Sequence, residues 1–330
     1  MPFFTGEIFR FFGGILLTLT PFGSMLSITE MGSLFMSFLL LVSGLLRITQ
    51  VNINKQTSKH MLSMESYLHF GLYFDLLSIV VCFLFLCFRG FHGLNALLLV
   101  CSLLSAVFLF SELIVSMSAM KTAPLVLCTI CSMGGSIILP TVVSIFLFNE
   151  PMSLPKWLGV AVFFTAVYFL SPAGKKTTCV FTWRTALLLT VSFFMNGFAG
   201  ILGKYYAMHA VNGNEAMFTL FIYIFSASIY GIAFPLYLRK KASVSGQPGF
   251  QFLPKGLYLL GILQGVVCCI LMCLNTLLAK TVPAVILSSV PSAISIVGCL
   301  LTGFFFYGEK ITWKNALGML CGIASILLIV

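Results

Sequence analysis

The sequence predicts an all-α polytopic membrane protein with two inverted five-helix repeats, ten transmembrane helices in all, and an extra N-terminal helix. Three observations lead to this fold class. Of the 330 residues, 60% are hydrophobic and 8% are charged, which is more apolar surface than one water-soluble core can bury. Apolar runs of about 18 or more residues, long enough to span a bilayer, recur along the whole chain. Finally, one stretch of sequence recurs 159 positions later.

The apolar runs and the turn signals between them define ten helical segments. The first five cover residues 31–50, 67–88, 95–120, 124–148 and 155–172. The second five cover residues 184–208, 215–238, 255–279, 282–307 and 313–330. The chain therefore divides into an extension (1–30), a first repeat (31–176) and a second repeat (177–330). Phe9–Leu26 is long enough for the extra helix; a signal-like segment, an interfacial helix or a later true start are the alternatives.

The repeat is clearest where KTAPLVLC begins at Lys121 and KTVPAVIL begins at Lys280. Over 39 positions from Lys121 to Gly159, ten residues are identical to the residue 159 positions later, without a gap. Because five is odd, the second unit should cross the membrane in the opposite sense to the first. Inverted-topology repeats of this kind are typical of transporters.

The positive charges predict the orientation. Thirteen Lys and Arg residues are assigned to the odd-numbered loops of the ten-helix core, Arg47 and Lys55 among them, and four to the even-numbered loops. By the positive-inside rule the odd loops are cytoplasmic and the C-terminus is outside, in a plasma (inner) membrane. Tryptophans at three helix starts fit interfacial anchors; they are Trp157, Trp183 and Trp313.

Asp75 and Glu112 are the acidic residues that fall well inside predicted spans, where an unpaired charge costs from about 3 to over 10 kcal/mol. Helical spacing puts each of them on a stripe of small or polar residues that could face a cavity. One interpretation is proton coupling or recognition of a cationic group, because burial favours a neutral carboxyl group. The other is a structural hydrogen bond between helices by a protonated acid.

The second repeat has no acid at matching depth but carries uncharged polar residues. Gln264 and Asn275 are eleven residues, or three turns, apart and hence share one helix face. Such side chains could line a pathway for a polar solute, or join helices by hydrogen bonds of about 1 kcal/mol each. Lys204 could meet an anionic group or extend to the interface. The other candidates for the substrate or proton pathway are Asn196, Tyr223, Ser136 and Ser295.

No catalytic residue, metal or cofactor is expected. Cys128 and Cys131 form a lone CxxC without a second pair or a nearby histidine, so buried thiols are favoured over zinc. The chain has no Walker motif, glycine-rich phosphate loop or nucleophile elbow. The net charge of +10 reflects the loops and does not indicate a nucleic-acid partner. The expected partners are a small-molecule substrate and the bilayer, with the oligomeric state open.

FFFYGEKITWKNALGMLCGIASILLIV, at Phe304–Val330, resembles the end of a repeat in EamA-type members of the drug/metabolite transporter superfamily. It has an apolar helix, a Gly-Glu, a Thr, a Leu-Gly and a final helix; FLFNEPMSLPKWLGVAVFFTAVYFL is similar at the end of the first repeat. The resemblance implies a basket in which the first four helices of each repeat surround a cavity and the fifth lies at the periphery. The external C-terminus and residues 1–30 depart from that pattern.

The resemblance and the internal symmetry together imply a secondary transporter and not an enzyme. It would move a small organic metabolite or drug-like compound by alternating access, with proton coupling left open. The alternatives are a lipid-linked sugar flippase, a membrane-embedded enzyme and a non-transporting membrane partner. An enzyme would need an acid, His or Cys constellation near one interface, and the sequence offers none.

Overall fold

In the computed structural model, the described residues are 28–61, 63–90, 94–148, 154–170, 182–209, 215–245, 253–279, 284–308 and 312–329. Within these ranges the secondary structure is ten α-helices and no strand. The predicted helix at Phe9–Leu26 lies outside the described residues. The helices are α1 (Ile28–His60), α2 (Met64–Arg89), α3 (Ala96–Ala119), α4 (Leu125–Phe148), α5 (Leu154–Leu170), α6 (Trp183–His209), α7 (Glu215–Ser245), α8 (Lys255–Ala279), α9 (Ala284–Tyr307) and α10 (Trp313–Ile329).

The ten predicted segments coincide with the ten helices, and most ends agree within a few residues. The two large differences are that α1 continues from residue 50 to His60 and α7 continues from residue 238 to Ser245. Neither extension contains a glycine or proline, so nothing local stops the helix where the sequence becomes polar. In contrast, α2 ends at Gly90 and α9 at Gly308, both with positive φ, the conformation that glycine adopts most readily.

The assignment of Arg47, Lys55 and Lys59 to the loop after the first helix is wrong, because all three lie within α1. Arg239, Lys240 and Lys241, which were assigned to the loop after the seventh helix, likewise lie within α7, near its end. The Lys55 ammonium is buried and donates to the carbonyls of Met120, at 2.6 Å, and Ala123, at 2.9 Å. These carbonyls follow the C-terminal end of α3, where backbone acceptors lack partners within the helix and favour a cation. Sequence-based counting could not separate this lysine from loop lysines, since its partners lie 65 and 68 residues away.

Replacing Lys55 with methionine should lower the free energy of unfolding by about 1.5–3 kcal/mol, because two buried carbonyl groups lose a charged donor. The measurement is the thermal unfolding midpoint of the purified protein in detergent. Lys240→Met is the matched control: Lys240 is exposed near the end of α7, so its loss should change stability by no more than about 0.5 kcal/mol. Equal midpoints for the two variants would contradict the role given to Lys55.

Most of the strong helix contacts join the two halves of the chain. From the first half of the chain, α1–α5, helix α2 packs on α7 and α8, helix α3 packs on α6 and α7, and helix α4 packs on α6. Helix α1 packs on α8 and α9 of the second half, α6–α10. The helices α5 and α10 pack mainly on each other, beside α4 and α9. The two halves therefore form one intermixed bundle, with α5 and α10 as a pair.

The helices α2 and α7 run antiparallel. The Lys241 ammonium lies 2.5 Å from a carboxylate oxygen of the buried Glu65, at the start of α2 and the end of α7. Two turns further along α2, a Cβ on Gly71 would lie 2.2 Å from the ring of Tyr230, which precedes Lys241 in α7. The absence of a side chain at Gly71 thus lets the tyrosine pack directly on the α2 backbone.

The glycine pair Gly318 and Gly322 packs within the fold. A Cβ on Gly318 would lie 2.7 Å from Leu170, and one on Gly322 would lie 3.9 Å from Ala166. The order of these contacts makes α10 antiparallel to α5. Small residues at this spacing allow close helix contact, and here the pair contacts α5 of the same chain.

Six helices are long and apolar enough to cross a membrane: α1, α2, α3, α6, α7 and α9. In the described residues, the other four contain shorter apolar stretches. Large apolar side chains such as Val80 and Phe83 are exposed on the outside of the bundle, which suits hydrocarbon and not water. Trp183 and Trp313 start helices and are about four-fifths exposed, at 81% and 79%. The described part of the chain is therefore all-α, and its candidate spans indicate a membrane protein.

Candidate functional site

Asp75 lies in the middle of α2, on the face that packs against α7 and α8. Its side chain is 3% exposed, and its Oδ2 has no hydrogen-bond partner among the described residues. Gly71, Ser78 and Cys82 lie on the same face and are buried, as helical spacing predicts. A carboxyl oxygen left without a partner in the interior is costly, so Asp75 is the strongest candidate for a group with a function.

The groups around Asp75 come from α7 and α8. The Ser226 hydroxyl is positioned to hydrogen-bond the carboxyl group, and Tyr223 packs edge-on against Phe74 at 5.9 Å between ring centroids. The Cys268 thiol lies close enough to Asp75 to interact electrostatically. Residues from both halves of the chain therefore form the environment of this one carboxyl group.

Glu112 lies in α3 and is held by hydroxyl groups. Its Oε1 accepts hydrogen bonds from Ser132 of α4, at 3.1 Å, and Ser192 of α6, at 3.4 Å. The Asn196 amide donates to both the hydroxyl and the backbone carbonyl of Ser132, each at 2.8 Å. The structure thus brings Glu112 and Asn196, which the sequence treated separately, into one hydrogen-bonded cluster.

Replacing Asn196 with leucine should lower the free energy of unfolding by about 1–3 kcal/mol, because the Ser132 carbonyl and hydroxyl lose donors in the interior. Comparing the thermal unfolding midpoints of the wild type and the variant tests this. Thr190→Val is the control, since the Thr190 hydroxyl is exposed and bonds the Ala186 carbonyl of its own helix, at 3.0 Å. If Asn196→Leu is as stable as Thr190→Val, Asn196 does not join α4 to α6.

Tyr230 of α7 packs against both α2 and α3, the helices that carry the two carboxyl groups. Its side chain is fully buried, its ring packs on Phe110 at 4.4 Å, and its hydroxyl is 3.5 Å from the Phe110 carbonyl. It is near enough to interact electrostatically with both Asp75 and Glu112. The sequence predicts that Tyr230 shares a helix face with Tyr223 and Ser226, because it lies seven residues after the first and four after the second.

Asn275 lies on the face of α8 toward α1, and helical spacing puts Gln264 on the same face. The Ser43 hydroxyl of α1 lies 3.5 Å from the Asn275 side-chain oxygen. Gln264 is 1% exposed, and its side-chain oxygen has no partner in the described ranges. Near them are polar residues of α1 that the sequence analysis did not single out, including Gln50, whose amide donates to the Cys268 sulfur at 3.1 Å.

Ser136 and Ser295 bond backbone carbonyls. The Ser136 hydroxyl donates to the Met133 carbonyl at 2.8 Å, and the Ser295 hydroxyl to the Pro291 carbonyl at 2.7 Å. Ser295 also lies 3.4 Å from the Gly44 carbonyl of α1. Both serines thus satisfy helix backbone, and Ser295 also joins α9 to α1. Lys204 lies in α6, but its side chain is outside what the structure describes.

His69 and the two cysteines of the CxxC pair are packed among other side chains of the bundle. His69 is stacked on Phe234 at 5.5 Å and lies 3.5 Å from the Tyr258 hydroxyl. Cys128 and Cys131 are buried among apolar side chains. Across the described ranges, no three His, Cys, Asp or Glu side chains converge to hold a metal ion.

Comparison with known proteins supports the fold and gives no function. No family model and no curated protein matches the chain. It resembles a solved structure described only as the crystal structure of a protein, with a TM-score of 0.56 and 12% sequence identity. The match covers 88% of this chain and 95% of the other. In all, 28 chains of solved structures match, so this arrangement of helices is also adopted by other proteins.

Proposed function

We propose that the chain is a secondary transporter that moves a small organic metabolite or drug-like compound across the membrane by alternating access. In this proposal it is a carrier and not an enzyme, as the resemblance to EamA-type transporters implies. The observation that carries the proposal is Asp75, a carboxyl group buried at the contact between the two halves with one oxygen unpaired. Such residues in membrane-spanning helices usually mark substrate or ion pathways.

The packing of the helices supports an inverted repeat. Corresponding helices of the two five-helix units, α2 and α7 or α5 and α10, run antiparallel, and the contact of α4 with α6 has its counterpart in the contact of α9 with α1. The sequence repeat pairs Gly135 with Ile294, and each of these lies against a glycine of its neighbouring helix, Gly197 and Gly44. A pseudo-symmetric bundle of this kind can exchange two conformations.

Within this proposal, Asp75 and Glu112 either carry a proton or receive a cationic group of the substrate. Tyr230 links their surroundings, because its hydroxyl and ring lie between α2 and α3. A carboxyl group can do either task only if its protonation or its partner changes between the two conformations. The unpaired oxygen of Asp75 is available for that change, whereas Glu112 already accepts two hydrogen bonds.

We also propose that the basic end of the bundle is cytoplasmic. The ends of α1, α3, α7 and α9 and the starts of α2, α4, α6, α8 and α10 share this end, and their exposed cations include Lys59, Arg184, Lys240, Lys255 and Lys314. The excess of Lys and Arg residues at this end over the opposite end remains when Arg47 and Lys55 are left out. This orientation puts the C-terminus outside.

The direct test is ligand screening followed by uptake. Purified protein would be screened by thermal shift against metabolites and drug-like compounds, because a ligand that binds the native state raises the unfolding midpoint. Compounds that bind would then be tested for accumulation in proteoliposomes with and without a proton gradient. Uptake above that of protein-free liposomes supports the proposal. Binding without uptake under any gradient contradicts it and favours a non-transporting role.

A further inference from the structure

The contact between α1 and α8 contains a row of polar side chains. Two hydrogen bonds orient it toward α8: Ser43 reaches Asn275 at 3.5 Å, and Gln50 reaches Cys268 at 3.1 Å. Residues three or four positions apart share a helix face. On α1 the row is Ser43, Arg47, Gln50 and Asn54.

The same two contacts show that α1 and α8 run antiparallel. The next turn along each helix therefore places one more pair of polar residues opposite each other. One turn beyond Gln50 on α1 is Asn54, and one turn before Cys268 on α8 is Gln264. The side-chain oxygens of Asn54 and Gln264 are buried and have no partner among the described residues. Two unpaired acceptors at one level of a helix contact would receive hydrogen bonds from something that the chain itself does not supply.

Arg47 lies in this row between Ser43 and Gln50. Its Nε is buried without a partner in the described part of the chain, and the thiol of Cys268 lies within electrostatic reach. Asp75 lies near Cys268 as well, but no ion pair joins Arg47 to Asp75 within the described ranges. A buried guanidinium nitrogen without a hydrogen-bond partner is costly, and arginines within membrane-spanning segments normally have a polar or anionic partner.

We propose that this row is an oxyanion site in which Arg47 binds a carboxylate or phosphate group of a small solute. The planar guanidinium offers a fork of donors that matches two oxygens of either group. The oxygens of Asn54 and Gln264 then accept hydrogen bonds from hydroxyl or amino groups beside the anion. The assignment of the solute as the transported compound rests on the proposed function, whereas binding itself does not.

The test is the thermal unfolding of the full-length protein, purified in a neutral detergent, in phosphate or succinate against chloride at equal ionic strength. We expect a saturable rise of the midpoint with at least one of the two oxyanions. Arg47→Gln should raise the half-saturating concentration of the anion by about tenfold or more, because one charged hydrogen bond to the anion is lost. Arg184→Gln, which removes an exposed cation at the start of α6, should keep the wild-type response.

Gln264→Leu provides a second variant if Arg47→Gln does not fold. It removes an unpaired buried acceptor, so it should be as stable as the wild type without anion and respond less to the anion. Phosphatidic acid, added with the detergent, is a third ligand and represents a lipid headgroup. The site would be overturned if the wild type gave no saturable response to phosphate, succinate or phosphatidic acid. It would also be overturned if Arg47→Gln and Arg184→Gln responded equally. A response to phosphatidic acid alone, lost in Arg47→Gln, would keep the oxyanion site and assign it to a lipid headgroup.

The result also separates this site from the proposed function. A saturable, Arg47-dependent response in a protein that transports no compound would support the site and contradict the carrier. Uptake that is unchanged in Arg47→Gln, together with no response to oxyanions, would support the carrier and contradict the site.

Discussion

Replacing Gly135 with alanine should destabilise the protein by about 3 kcal/mol or more, at or above the upper end of what overpacking usually costs. A Cβ at this position would lie 2.0 Å from the backbone carbonyl oxygen of Phe193 in α6. Backbone cannot rotate away as a side chain can, so α4 and α6 would have to separate. Their separation would also stretch the hydrogen bonds from Asn196 to Ser132.

Gly231→Ala is the matched control for Gly135→Ala. Gly231 lies in α7, and a Cβ there would meet nothing within 4 Å, so alanine should be neutral or should stabilise the helix by up to about 1 kcal/mol. Unfolding can be followed by the reaction of buried thiols, such as those of Cys131 and Cys269, with a fluorogenic maleimide. A Gly135→Ala protein that unfolds at the wild-type temperature would contradict the close contact between α4 and α6.

The number and approximate bounds of the helices could be predicted because they depend on local signals. Apolar runs and their breaks are properties of the sequence itself, and α8 begins and ends at the residues predicted for it. The end of α1 was missed because eight of its last ten residues are polar while the chain remains helical. Two of these polar side chains have distant partners: Asn52 donates to Thr302 at 3.2 Å, and Lys55 donates to the α3–α4 turn.

The candidate site was predicted only in part, for a similar reason. Asp75 and Glu112 could be recognised from the sequence because they are acidic residues well inside apolar segments, where few acids occur. The sequence could not show that Ser132, Ser192 and Asn196 converge near Glu112, because these residues are 20 to 80 or more positions from it and belong to different helices. Arg47 was missed for another reason: a cation near a predicted helix end is usually an interfacial residue.

The same limits apply to the ion pair of Glu65 and Lys241. Both residues lie close to predicted helix ends, where charged side chains normally face water, so the sequence gives no reason to pair them. The structure buries Glu65 and places Lys241, from the other half of the chain, against it. Because Glu65 is buried, loss of Lys241 would leave its carboxylate without this charged partner, so the contact helps to hold the two halves together at the basic end.

Replacing Asp75 with asparagine should abolish the pH dependence of transport and reduce proton-driven accumulation by at least about tenfold, as expected when a required acid–base group is lost. Asparagine has nearly the same shape and can still bond the Ser226 hydroxyl, but it cannot carry or release a proton. Folding should be little affected, because the change removes an ionisable group that already lacks a full set of partners. The assay is uptake in proteoliposomes, over a range of pH, of a compound that binds in the ligand screen.

Solute exchange in the absence of a gradient distinguishes the two roles open to Asp75. If Asp75 carries the proton, Asp75→Asn should still exchange labelled for unlabelled compound across the liposome membrane while failing to accumulate it. If Asp75 binds a cationic group of the substrate, exchange should fall as well. Ser78→Ala is the control, since Ser78 lies one turn away on the same face and bonds the Phe74 carbonyl at 2.9 Å. Transport by Asp75→Asn with unchanged rate and pH dependence would show that Asp75 belongs to neither the proton pathway nor the substrate pathway.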